Sequence, residues 1–271
     1  MDFSYVNQFE AVLKSLQLKT GQQRYELKED VSGIAVNGTN VYGILRAPRG
    51  DATEAIVLSS SWKTIDGKVD VGGVALLMSL AGYFRRILLS LFYLRHISGW
   101  SLWSKDIIFL LVAEPMAGSA LWLEAYHSDT PRYTSSLSLK SGEIQAAIQL
   151  SHPYGTHFNS ISIMYEGTNG QLANLDLINS AVHIAGAQVR VPVTVQGVQT
   201  GADRYEDRLR TLGKGMVKQG LGLGMGSGTF GRYKIDAITL QAVGGHGDHD
   251  DIAFGRHVPP NSLVLDVTNA L

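Results

Sequence analysis

The sequence predicts an α/β protein, a three-layer sandwich of helices around a mixed central sheet, and three stretches carry that reading. Ile107 to Ala113 is an unbroken apolar run of strand length. Such a run, lacking alternation, suits a strand covered on both faces. Glu114-Pro115 ends it, because proline has no N–H to give a ladder, and Gly118-Ser119 opens a helix whose Leu121, Trp122 and Tyr126 share one stripe. Downstream, the strand-like Ile144–Leu150 and Ser160–Tyr165 precede the helix-like Leu172–Ile184, and strand-helix alternation is the mark of this class.

Taken in order, Phe3, Val6, Phe9, Val12, Leu13 and Leu16 follow helical spacing, so the N-terminus is expected to be an amphipathic helix and not a signal peptide. Asn40–Ala47 and Glu54–Ser59 read as a hairpin joined by Pro48-Arg49-Gly50-Asp51. Just before it, Asn37-Gly38-Thr39 on an expected turn is either an N-glycosylation sequon or a chance triplet, and it matters only in a secretory chain. A helix is expected over Val69–Phe84, where Asp70 is either its N-cap or a site carboxylate. Arg85–Ser101 is too long for a helix-to-strand connection and reads as a surface insertion.

The glycines of Gly213–Gly231 have neither an incoming strand nor a following Lys-Ser or Lys-Thr, which favours a mobile loop over a phosphate loop. Tyr233–Val243 reads as the last strand. It leads into Gly244–Asp251, where two histidines and three aspartates are either metal ligands or a solvated loop.

Composition narrows the function classes. At 271 residues, with 45% hydrophobic and 17% charged content, the chain can bury a full core and need be only one domain. A net charge of −1 gives no basic footprint for nucleic acid. There is no cysteine, so any metal must be held by Asp, Glu or His. Arg85 and Arg86 interrupt the nearest approach to a membrane span, Val71–Leu94, and the chain reads as soluble.

Four blocks in order, YGILRAPRG, KDIIFLLVAE…GSALWLEAYH, EGTNGQLANLDLIN and RYKIDAITL, resemble the luminal domain of the GPI-anchor attachment proteins, the Gaa-type subunits of GPI transamidase. The resemblance covers residues 1–256 and implies the fold of the two-zinc aminopeptidases. It also implies a transmembrane helix before the domain and several after it, so this chain is expected to be a fragment or truncated product. The tail 257–271 diverges and is expected to be loosely attached.

The resemblance does not extend to a full ligand set. Where the aminopeptidases carry His-x-Asp after a strand, this chain offers Ser61 and Lys63. Asp70 is near the bridging aspartate but offset by two residues. Glu114 stands in place of a Glu-Glu pair, with Pro115 second, and Ser151 replaces an aspartate. His246 and Asp250 keep the spacing of a histidine and its supporting carboxylate. A two-metal centre needs its coordination intact, so at most one zinc remains, through Asp70, Glu114 and His246.

The expectation is therefore a non-catalytic subunit in the lumen of the endoplasmic reticulum, its full-length relatives being membrane-embedded. The resemblance gives it as partners the cysteine-protease-like catalytic subunit, the other transamidase subunits, the proprotein's C-terminal signal and the GPI lipid. The alternative is a one-zinc hydrolase or amide-forming enzyme with Glu114 as base.

Overall fold

The structure, a computed structural model, describes residues 3–28, 35–64, 67–93, 103–128, 134–152, 158–166, 175–199, 205–206, 209, 213 and 226–244. They fall into two compact units, one of Met1–Trp62 with Val74–Ala147, the other of Lys63–Gly73 with the residues from Ile148 onward.

The first unit holds α1 (Phe3–Ser15), β1 (Lys19–Lys28), β2 (Ala35–Leu45), β3 (Glu54–Ser61), most of α2 (Val71–Tyr93), β4 (Asp106–Val112), α3 (Ala117–His127) and the start of β5 (Glu143–Ser151). Its strand order is β1-β2-β4-β3-β5. β4 runs parallel to β3 and antiparallel to β2, which makes the sheet mixed. All seven residues of β4 are buried: Ile107–Val112 as an unbroken apolar run requires, and Asp106 because its carboxylate is paired with Arg46 and accepts the Ala47 N–H.

The order corrects one expectation. β2 and β3 do not form a hairpin, because β4 lies between them. β2 pairs instead with β1, from Lys19 opposite Ile44 to Lys28 opposite Ala35. β1 is silent as a hydrophobic pattern because its inward positions are Gly21, Gln23 and Tyr25, so the period of two is present in burial and absent from hydropathy.

Neighbouring residues of β2 show the layering. Tyr42 meets Trp122 of α3 with ring centroids 6.0 Å apart. A Cβ on Gly43 would instead lie 3.3 Å from Leu13 of α1. Successive strand residues face opposite ways, so α1 and α3 cover opposite faces.

The helix expected to stop at Phe84 continues to Tyr93. The first part of the expected insertion is therefore helix, with Leu88 buried and an Arg85 guanidinium donating to Gln17 Oε1. Residues 94–102 lie outside the described residues. By length and composition Val71–Leu89 could cross a membrane. Val74, Leu77, Ala81 and Leu88 form one buried stripe along it, while Val71 and Leu89 are exposed.

The second unit contains the end of β5, β6 (Ser160–Tyr165), α4 (Leu175–His183) with a π-helical turn over Ile184–Gln188, β7 (Val193–Val195), β8 (Val198–Gln199), α5 (Ser227–Gly231) and β9 (Asp236–Val243). Its order is β5-β9-β6-β7-β8, with β6 antiparallel to β9 and parallel to β7. Ile163, Tyr165 and Ile238 pack with Ile178 of α4 on one face. On the other, Thr239 Oγ1 donates to Ser227 Oγ of α5 at 2.8 Å. The final strand thus begins at Asp236, later than Tyr233, and part of the expected Gly-rich loop is a helix.

Candidate functional site

Strand ends place the residues that the ligand comparison singled out. Ser61 is the last residue of β3, Glu114 follows β4, Asp70 immediately precedes α2, and Ser151 closes β5. Carboxyl ends of strands are where open α/β sheets bind ligands. The geometry there decides what each side chain is free to do.

Asp70 is fully buried and already engaged. Its Oδ1 accepts the backbone N–H of Gly73 at 2.8 Å, the third helical position, which is the geometry of an N-cap. Both carboxylate oxygens also accept the backbone N–H of His152, at 3.0 and 3.1 Å. Burial pushes the carboxyl above its ordinary range, and the N–H donors of Gly73 and His152 and the Ser151 side chain offset this in part. Gly72 lies tight against His152, since a Cβ there would stand 2.4 Å from the His152 carbonyl oxygen. The cap reading of Asp70 is the one the geometry carries.

Glu114 is half-buried, and its carbonyl oxygen accepts the Gly118 N–H at 3.1 Å in the turn that opens α3. A buried polar cluster absent from the sequence reading holds this turn. Asn40 Nδ2 donates to Gln23 Oε1 and to the Gly118 carbonyl, each at 2.9 Å, while Asn40 Oδ1 accepts the Ala113 N–H at 3.2 Å. Gln23 Nε2 in turn donates to the Leu121 carbonyl at 3.0 Å. Gly118 packs tightly against the cluster, since a Cβ would stand 3.0 Å from Asn40 Oδ1 and 3.3 Å from Tyr25 Oη and would make these neighbours give by a few tenths of an ångström. Burial first, and then the Glu114 charge, push the Tyr25 phenol above its ordinary range. A polar residue at an inward strand position was the available signal for Asn40, and it was masked because β1, its partner strand, was not recognised.

The remaining positions offer little to a metal. Ser61 is buried, Pro115 is buried in the turn after β4, and Lys63 is half-buried with its backbone bridged to Val69. His246 and Asp250 lie outside the described residues. Among the described residues no three His, Asp or Glu side chains converge as a metal site requires. These residues do not fit a two-metal centre.

Asn37, expected on a turn, lies within β2 opposite Glu26, with its side chain exposed.

Residues 37–262 match the family model described as Gaa1-like, GPI transamidase component. The GPI transamidase component gaa1 of Schizosaccharomyces pombe is 36% identical over 240 residues, covering 86% of this chain and 39% of that protein. The corresponding GAA1 component of Saccharomyces cerevisiae is 34% identical over 241 residues, covering 86% of this chain and 35% of its own length. The chain therefore spans well under half the length of these relatives. Among solved structures, the glutaminyl cyclase of Fimbriiglobus ruber superposes with a TM-score of 0.55 at 13% identity, over 92% of this chain and 77% of that one. That likeness concerns the fold alone.

Proposed function

Because the chain belongs to the Gaa1-like family of GPI transamidase components, we propose that it serves as a non-catalytic subunit of that complex. The observation that carries the reading is Asp70. Its carboxylate is spent on the backbone N–H groups of Gly73 and His152, where an enzyme of this fold would need it for a metal. Ser61, Lys63, Pro115 and Ser151 stand at the other ligand-equivalent places and supply no hard-metal carboxylate or imidazole. Hydrolysis at a metal centre depends on an intact set of protein ligands with one position open to water, both to make hydroxide near neutral pH and to stabilise the oxyanion.

In this reading the unit faces the lumen of the endoplasmic reticulum within a membrane-embedded complex. It helps to bring the proprotein's C-terminal signal and the GPI lipid to the cysteine-protease-like catalytic subunit. The chain carries no resident cofactor of its own.

The test is metal analysis of protein purified with its assembly partners from a eukaryotic host without chelators, since a metal that matters is bound at stoichiometric levels. The expected result is co-purification of the other subunits with no stoichiometric zinc assigned to this chain. One zinc per chain, removed by His246→Ala, would contradict the non-catalytic reading and support the one-zinc alternative.

A further inference from the structure

The sequon Asn37-Gly38-Thr39 lies in β2, where Asn37 faces Glu26, Gly38 faces Tyr25 and Thr39 faces Arg24 across the ladder. Alternation along the strand puts Asn37 and Thr39 on one face and Gly38 on the other. The Gly38 face is closed, because a Cβ there would stand 2.4 Å from Tyr25 Oη, and Tyr25 packs with Ala113 and Leu121. The other face is open and polar: Asn37, Glu26 and Arg24 are exposed and Thr39 is half-buried. The β2–β4 ladder begins only at Val41, so Asn37 lies beyond it. The middle glycine is thus demanded by the packing of Tyr25, while the acceptor side chain reaches solvent.

We infer that Asn37 is an N-glycosylation site, an inference that rests on the luminal reading above. In the transfer, the Asn37 side-chain nitrogen forms a bond to the anomeric carbon of a polyprenyl-diphosphate-linked oligosaccharide. The bond from that carbon to the diphosphate oxygen breaks, the polyprenyl diphosphate leaves with its electron pair, and the amide loses one proton to a base of the transferring enzyme. In the finished strand, residues two apart are separated by about 6.6 Å along the axis, so Asn37 is not folded back towards Thr39 in the local Asn-turn such a sequon can form. Transfer therefore precedes closure of the β1–β2 ladder, and the glycan then projects from the open face. The face bearing Arg24, Glu26 and Asn37 is consequently solvated in the assembled complex.

The test expresses full-length protein in a eukaryotic host, with an Asn-Gly-Thr tag inserted directly after Leu271, as wild type, Asn37→Gln, Thr39→Ala and Thr39→Ser. Peptide-N-glycosidase in heavy-oxygen water converts each occupied asparagine to a labelled aspartate that mass spectrometry locates. The expected result is label at residue 37 in wild type and Thr39→Ser, and none there in Asn37→Gln or Thr39→Ala, with the tag labelled throughout. A labelled tag with residue 37 unlabelled in wild type overturns the inference while the luminal reading stands. If neither position is labelled, the luminal reading fails and this inference fails with it. Equal thermal stability of Asn37→Gln and enzymatically deglycosylated wild type is expected, since the side chain packs against nothing in the closed face.

Discussion

Asn40 of β2 donates its side-chain amide to the carbonyl oxygen of Gly118 at 2.9 Å, so a buried polar residue on the sheet fixes the turn that presents Glu114. The same side chain accepts the Ala113 N–H and donates to Gln23, so each of its polar atoms has a partner. A satisfied buried network specifies one geometry, and a broken one leaves several groups without water or partner.

Asn40→Ala is therefore expected to cost about 2–4 kcal/mol, because it strands Gln23 Oε1, the Gly118 carbonyl and the Ala113 N–H in the interior. Chemical denaturation measures this. A loss below about 0.5 kcal/mol would show that the cluster does not hold the turn.

Leu88 tests where α2 ends. It is buried on the stripe that includes Val74, Leu77 and Ala81. Leu88→Ala should lower stability by about 2–4 kcal/mol, and removing 85–93 should lower it further. Unchanged thermal unfolding in both variants would return Arg85–Tyr93 to the status of a surface excursion.

How far the sequence could be read follows from where apolar side chains carry the structure. β4 and α3 were legible because Ile107–Val112 is an unbroken apolar run and Leu121, Trp122 and Tyr126 repeat at helical spacing. β1 was not, because its buried positions are filled by Gly21, Gln23 and Tyr25, and the Asn40 cluster was lost with it. Arg85 and Arg86 resemble a helix end, yet long basic side chains on a half-exposed face allow α2 to continue past them. At the site, the sequence placed Ser61, Glu114 and Ser151 at strand ends, and it left Asp70 open between cap and ligand. Only the positions of the Gly73 and His152 N–H groups reveal the cap geometry.

Asp70 gives a pH dependence with a definite sign. Burial raises its carboxyl in the folded chain, so the folded state holds this proton more tightly than the unfolded state. Its contribution is fully present below the unfolded value of about 4 and is lost as pH rises through the raised folded value. The unfolding free energy of wild type minus that of Asp70→Asn should therefore fall over that interval and be level above it. A difference that rises with pH there would mean that the N–H donors outweigh burial.

The most direct test of the non-catalytic reading is complementation of transamidase-deficient cells with full-length protein carrying Glu114→Gln or Trp122→Ala. Trp122 is fully buried against Tyr42 and Tyr126, and its truncation should cost about 3–5 kcal/mol and with it assembly and anchoring. Glu114→Gln keeps the shape of a half-buried side chain and removes only its charge, so GPI anchoring of reporter proteins should stay at the wild-type level. Loss of anchoring by Glu114→Gln, with the complex assembled, would contradict the account and assign Glu114 to metal-dependent chemistry.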